Sequence, residues 1–205
     1  MRSSLLFLLA LFVGAGCTEV SPPAQPAKSE TPPTEGVSSW QIVEESNLNE
    51  AQAAHRDRAL AASSALMEKL KGRLKEVVSK DGLAAAITVC KDDAPRLAKE
   101  VSKEHGLSIG RTSHRLRNPA NKPPVWAESL VADRVDKPTY LAVENRLAAF
   151  LPIPTGPLCL NCHGTKDGIP ADVLAALDEK YPDDQATGFE EGDLRGWFWV
   201  EADAP

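Results

Sequence analysis

The sequence predicts an α+β domain. Three observations carry this. Apolar residues recur at helical spacing through the first half of the compact region. Short segments of strand character follow, ending in an aromatic-rich run. Pro, Gly and Asn punctuate the joins. Helices first and short strands after is the order of N-terminal helices packed on a small antiparallel sheet. The chain has 205 residues, 42% hydrophobic and 25% charged, a composition that can build one core. With 23 Lys+Arg against 29 Asp+Glu the net charge is -6, which argues against a nucleic-acid binder. Four Cys are too few for a disulfide scaffold, so their positions matter individually.

The N-terminus has a basic start, an apolar run over residues 5–13 and small residues before Cys17. That run is too short to span a membrane, which takes about 20 residues, and reads as a signal peptide over residues 1–16. The stretch Gly14-Ala15-Gly16-Cys17 is similar to a lipoprotein cleavage site, with Cys17 as the lipidated residue. It departs from the usual pattern by having Gly14 where an aliphatic residue is common. Residues 18–37 hold five Pro among Ser, Thr and Glu, and this composition reads as a flexible tether over residues 17–46. Thr18 rather than Asp after Cys17 leans toward the outer membrane over the inner. The expected location is the periplasmic side of a membrane, reached through the lipid anchor.

The globular region is expected over residues 47–205. Residues 50–80 carry an apolar stripe of Leu60, Met67, Leu70, Leu74 and Val77, and Gly82 ends the helix. A second stripe runs through Leu83, Ile87, Cys90, Ala94, Leu97 and Val101. Pro95 cannot sit inside a regular helix, so Asp92-Asp93 reads as a cap and a fresh start, with Cys90 facing inward at the end of a short helix. Gly106 is a natural C-cap. Residues 107–112 alternate like a strand, residues 117–124 read as a loop and residues 125–135 as a short helix. Residues 140–153 fit helix or strand. Residues 159–168 read as a tight turn, residues 170–181 as a helix and residues 194–200 as the last strand.

The chemistry concentrates in Cys159-Leu160-Asn161-Cys162-His163. In an exported chain this spacing is the signature of covalent haem attachment, giving one haem c. Two thiols three residues apart lie along one turn and reach two vinyl groups, while the next imidazole meets the iron. A disulfide, a dithiol redox pair or half a zinc site are the alternatives. No second CxxC or HxxxH completes a zinc set, and the motif lacks the strand-first setting of a thioredoxin-like site. For the other axial position the residues leave Cys90, His114 and Met67 open. His55 and His105 stand among charged residues and are expected to be exposed. Arg111 and Arg117, in a basic loop with Arg115, would pair with haem propionates.

Beyond that motif, the sequence shows Ala86-Ile87-Thr88-Val89-Cys90, Arg111-Thr112-Ser113, Arg117-Asn118-Pro119-Ala120-Asn121, residues 181–188 and Gly192-Asp193-Leu194-Arg195-Gly196. Together with the haem signature these segments resemble the family of exported, single-haem c-type domains with a PAS-like fold. The resemblance covers nearly the whole globular part. It implies thioether links at Cys159 and Cys162, and His163 and Cys90 as axial ligands. It also implies a redox or small-ligand sensing module, with electron transfer by a monohaem cytochrome as the alternative. An unidentified redox or signalling protein is the expected partner. With no paired carboxylates or second cofactor motif, no enzymatic activity is expected.

Overall fold

The computed structural model describes residues 39–202. The signal segment, Cys17 and most of the tether lie outside the described residues. Helix α1 (Glu50–Asp81) opens with a capping box: Asn49 accepts from the Gln52 amide, and the Gln52 side chain accepts from the Asn49 amide. Gly82, at φ 88°, ends it. The buried face of α1 runs through Ala59, Ala62, Leu66, Leu70 and Val77. Leu60, expected on that stripe, points outward because the true stripe sits one residue earlier, at Ala59. His55, expected to be exposed, is buried on the same face.

The second helical region also differs from expectation. Helix α2 (Ala86–Thr88) passes through a π turn (Val89–Asp93) into α3 (Ala94–His105) without a break. Asp93 is helical and caps nothing; its carboxylate pairs with Arg73 at 2.7 Å instead. Pro95 is accommodated because the Ala94 amide reaches back to the Val89 carbonyl, the wide hydrogen bond of a π turn. A residue without an N–H is tolerated just after that widening.

The sheet holds β1 (Gln41–Val43), β2 (Ser108–Thr112), β3 (Thr139–Val143), β4 (Arg146–Pro154) and β5 (Leu194–Ala202). Its order is β1-β3-β4-β5-β2, and all four pairings are antiparallel. Strand β1 begins the sheet upstream of Asn47, where the sequence reading starts the globular part. Residues 140–153 resolve as a hairpin, with Glu144 at φ 53° in its turn. The Gln52 side chain donates to the Glu144 carbonyl at 2.9 Å, tying the hairpin tip to the start of α1.

Both faces of β4 are covered, which explains its unbroken apolar run. Leu147, Ala149 and Leu151 face α1 and α3 in the main core with Phe198 and Val200. Ala148 and Phe150 face the other way, packing with Trp197, Leu130 of α4 (Glu128–Ala132) and Ala127. A third cluster joins Ile87 to Val173, Leu177 and Tyr181 of the region around α6 (Ala171–Lys180). Among the described residues no helix is long and apolar enough to cross a membrane.

Candidate functional site

A cavity of about 600 Å³ opens on the helical face of the sheet. Met67, Leu70 and Leu74 of α1 form one wall, and Cys90 enters from the π turn. Arg111, Ile153, Gly196 and Phe198 supply the sheet side. Arg111 pairs across the ladder with Phe198, so both side chains share this face. The segment carrying Cys159, Cys162 and His163 completes the lining.

That segment is a 3-10 turn (Pro157–Cys159) followed by one helical turn, α5 (Leu160–His163). Pro157 occupies the first turn, where its missing N–H costs nothing. Gly164 closes α5, and a Cβ there would lie 2.7 Å from the Leu160 carbonyl oxygen. Residues 184–189 then clamp the turn. The Gly188 amide donates to the Gly164 carbonyl at 2.6 Å, and the Phe189 amide to the His163 carbonyl at 2.9 Å.

The His163 ring has one fixed partner. Its Nδ1 lies 2.6 Å from the Ala186 carbonyl oxygen. A carbonyl only accepts, so Nδ1 carries the proton and Nε2 keeps its lone pair. Burial, with Arg195 and Arg117 nearby, holds His163 well below the usual imidazole range and keeps it neutral.

Arg117 is buried and already has a carboxylate: Nε and Nη2 bond Asp184 at 3.1 and 2.9 Å. Its Nη2 also donates to the Cys162 and Ala186 carbonyls at 2.6 and 3.2 Å. Its Nη1 has no partner and the residue lines the cavity. Arg111 lines the cavity with its charge penalised by burial; the Cys90 sulfur and the Tyr181 phenol oppose that penalty. Arg195 was given no role by sequence reasoning, yet it lines the same cavity. Burial pulls its pKa down to about 10, and Nη1 donates to the Ser113 hydroxyl at 3.0 Å. Nothing local in Leu194-Arg195-Gly196 distinguishes it from a solvated arginine. Arg115 lies elsewhere, stacked 4.2 Å over Phe189 and bonded to the Gln185 carbonyl. Lys71 and Lys75 bring the cavity's cations to five, and no Asp or Glu lines it among the described residues.

Of the candidates for a second iron ligand, Cys90 and Met67 line the cavity. His114 does not; it packs edge-on against Phe189 and Trp197, 5.9 Å from each. Cys90, Cys159 and Cys162 are all free. Burial pushes the Cys162 thiol up to about 11, so it is a neutral thiol at pH 7. Among the described residues no group of three His, Cys, Asp or Glu is placed to hold a metal ion.

A model of the Tll0287-like family matches residues 42–202. The chain belongs to the Tll0287-like family. The match starts within β1 and ends with β5, so the family unit includes the whole sheet. Among solved structures, the crystal structure of the cyanobacterial heme-protein Tll0287 is similar, with 24% identity and a TM-score of 0.52. The match covers 71% of this chain and 95% of that one, and at this identity it speaks for the fold. No curated protein matches the chain.

Proposed function

We propose that this chain holds one haem c, joined to Cys159 and Cys162, with His163 and Cys90 as the iron's axial ligands. The observation that carries the reading is the donor set of one cavity. Two thiols and an imidazole with a free Nε2 sit on one turn, and a third thiol enters from the π turn. Five cations and no carboxylate among the described lining residues suit an anionic macrocycle that bears carboxylates. Membership of a family with a solved heme-protein supports the same reading.

The bound group supplies one-electron chemistry and an iron able to take a small ligand. The chain's own residues do the rest. Ala186 fixes the His163 tautomer, and Arg117 holds the Cys162 carbonyl from inside. Arg111 and the free Nη1 of Arg117 offer donors to propionates, and Arg195 adds a third buried guanidinium. A thiolate at Cys90 would favour the oxidised state and leave on protonation, the kind of two-state element a redox or small-ligand sensor uses. We read the protein as a non-enzymatic sensing module, tethered through Cys17 on the periplasmic side, at the outer membrane. Electron transfer to a protein partner is the second reading, favoured by the aromatic rings that continue outward from His163.

The test is to produce the mature protein in a host that attaches haem c and to record its mass and its spectra in both oxidation states. One covalent haem per chain is expected; none overturns the proposal. Cys90→Ser is expected to change the ferric spectrum, and an unchanged one removes the thiolate. Carbon monoxide binding after reduction supports sensing, and six-coordination in both states supports electron transfer. Cys17→Ser is expected to move the protein from the membrane to the soluble fraction.

A further inference from the structure

Beyond the cavity, a series of aromatic rings crosses the core on the opposite face of the sheet. The His163 ring meets Phe189 edge-on at 6.3 Å. Phe189 meets His114 at 5.9 Å, and His114 meets Trp197 at 5.9 Å. Trp197 stacks on Phe150 at 4.9 Å, within 18° of parallel. Phe150 meets Trp126 at 6.1 Å, and Trp126 meets Trp40 at 6.2 Å. Every centroid separation lies in the range of direct ring contact. The series crosses from the cavity turn, through the β4–β5 core, to two half-buried indoles at the far edge.

Arg146 lies over the outermost ring, Trp40, at 5.1 Å, whereas Trp126, one ring inward, has a proton acceptor. The Trp126 Nε1–H donates to the Glu201 carboxylate at 2.7 Å. An indole that loses an electron becomes far more acidic, and an ionised carboxylate in hydrogen-bond contact is placed to accept its proton. The inner indole, Trp197, donates instead to the Val135 carbonyl at 2.7 Å, which cannot take a proton to form a stable acid. Of these two indoles, Trp126 therefore has the acceptor better suited to hold an electron vacancy.

We propose that the rings from Trp126 to His163 are an electron path by which the reduced haem refills a tryptophan oxidised by a radical at the protein surface. The inference rests on the haem reading above. A one-electron oxidant of the oxygen- or nitrogen-centred radical class takes one electron from Trp126 and becomes its anion. The indole proton moves to Glu201. One electron from the ferrous site returns along the rings, the proton comes back from Glu201, Trp126 is restored and the iron ends ferric. The chain thereby protects itself, and quenches the radical, at the expense of one stored electron.

The test uses the ferrous haem-loaded protein, its covalent haem first verified by mass, and azide radicals made by pulse radiolysis, which oxidise tryptophan. The expected result is decay of the tryptophanyl radical absorption in step with ferrous-to-ferric conversion, at a rate independent of protein concentration. Phe150→Leu, which removes the central ring, and Trp126→Phe, which keeps a ring but removes the indole N–H, are each expected to slow that conversion about tenfold. Trp199→Phe, outside the ring series, is expected to leave it unchanged. Equal rates in all four proteins, or a rate that scales with protein concentration, overturn the path. Loss of haem from the mass spectrum instead overturns the reading beneath it.

Discussion

Arg117 donates from Nη2 to the carbonyl oxygen of Cys162 at 2.6 Å, from within the protein rather than from its surface. The same nitrogen reaches Ala186, whose carbonyl fixes the His163 ring. One guanidinium thus joins the second cysteine of the haem signature to the loop that orients its histidine.

That junction stands on a buried ion pair, with Arg117 and Asp184 side chains only 6% and 11% exposed. Breaking such a pair from one side leaves a charge buried without its partner. Asp184→Ala is expected to lower unfolding free energy by about 3 kcal/mol, read from the urea midpoint. The double variant Arg117→Met with Asp184→Leu removes both charges and is expected to recover part of that loss. A single Asp184 variant as stable as the parent would show that the pair holds nothing.

Two histidines away from the cavity set a pH dependence. Burial, the largest cause, lowers the pKa of both His55 and His114 from 6.5. Each has an Nδ1 with no partner. The unfolded chain then binds more protons than the folded one just below pH 6.5. Their contribution is full above that value and is lost as pH falls through it toward the lowered folded values. The melting temperature is expected to drop between pH 7.5 and pH 5. His55→Leu and His114→Leu are each expected to flatten that slope, and a slope unchanged in both would assign the acid sensitivity elsewhere.

How much of this was legible in the sequence differs by element. Helix α6 and strands β2 and β5 follow from local periodicity and turn residues, because each keeps one period throughout. The π turn was not legible. Pro95 signals that a regular helix cannot continue, and the signal fits a cap or a widened turn equally well. Only the Ala94–Val89 hydrogen bond decides between them. The hairpin at residues 139–154 was ambiguous because covering both faces of β4 erases the alternation that marks a strand. In the site, Cys159, Cys162, His163 and Cys90 were named from spacing and resemblance. Arg195 and Asp184 were not given roles, since burial of a single charged residue is set by elements distant in sequence.

Glycines test the cavity wall. A Cβ at Gly196 would sit 2.2 Å from the Thr112 carbonyl oxygen, a backbone atom that β2 cannot withdraw without losing its pairing with β5. Gly196→Ala is expected to cost about 3 kcal/mol and to reduce haem attachment. Gly72, exposed inside α1, has nothing within 4 Å of its would-be Cβ. Gly72→Ala is expected to stabilise by about 0.5–1 kcal/mol, since alanine loses less backbone entropy in a helix. Thermal melts of the two variants should therefore move in opposite directions.

The charges around the cavity make a prediction of opposite signs. Arg195, with a pKa of about 10, keeps its charge at neutral pH, and burial limits solvent screening of it. A positive charge beside an iron favours the added electron, so Arg195→Met is expected to lower the reduction potential. At an effective dielectric of about 20, a charge roughly 10 Å away contributes about 1–2 kcal/mol. For one electron each tenfold change in equilibrium corresponds to about 60 mV, so a fall of that order is expected. Cys90→Ser removes a thiolate's negative charge and is expected to raise the potential. Titration of both variants by spectroelectrochemistry measures the two shifts. Shifts of the same sign would mean that one of these side chains acts on the iron through structure rather than through its charge.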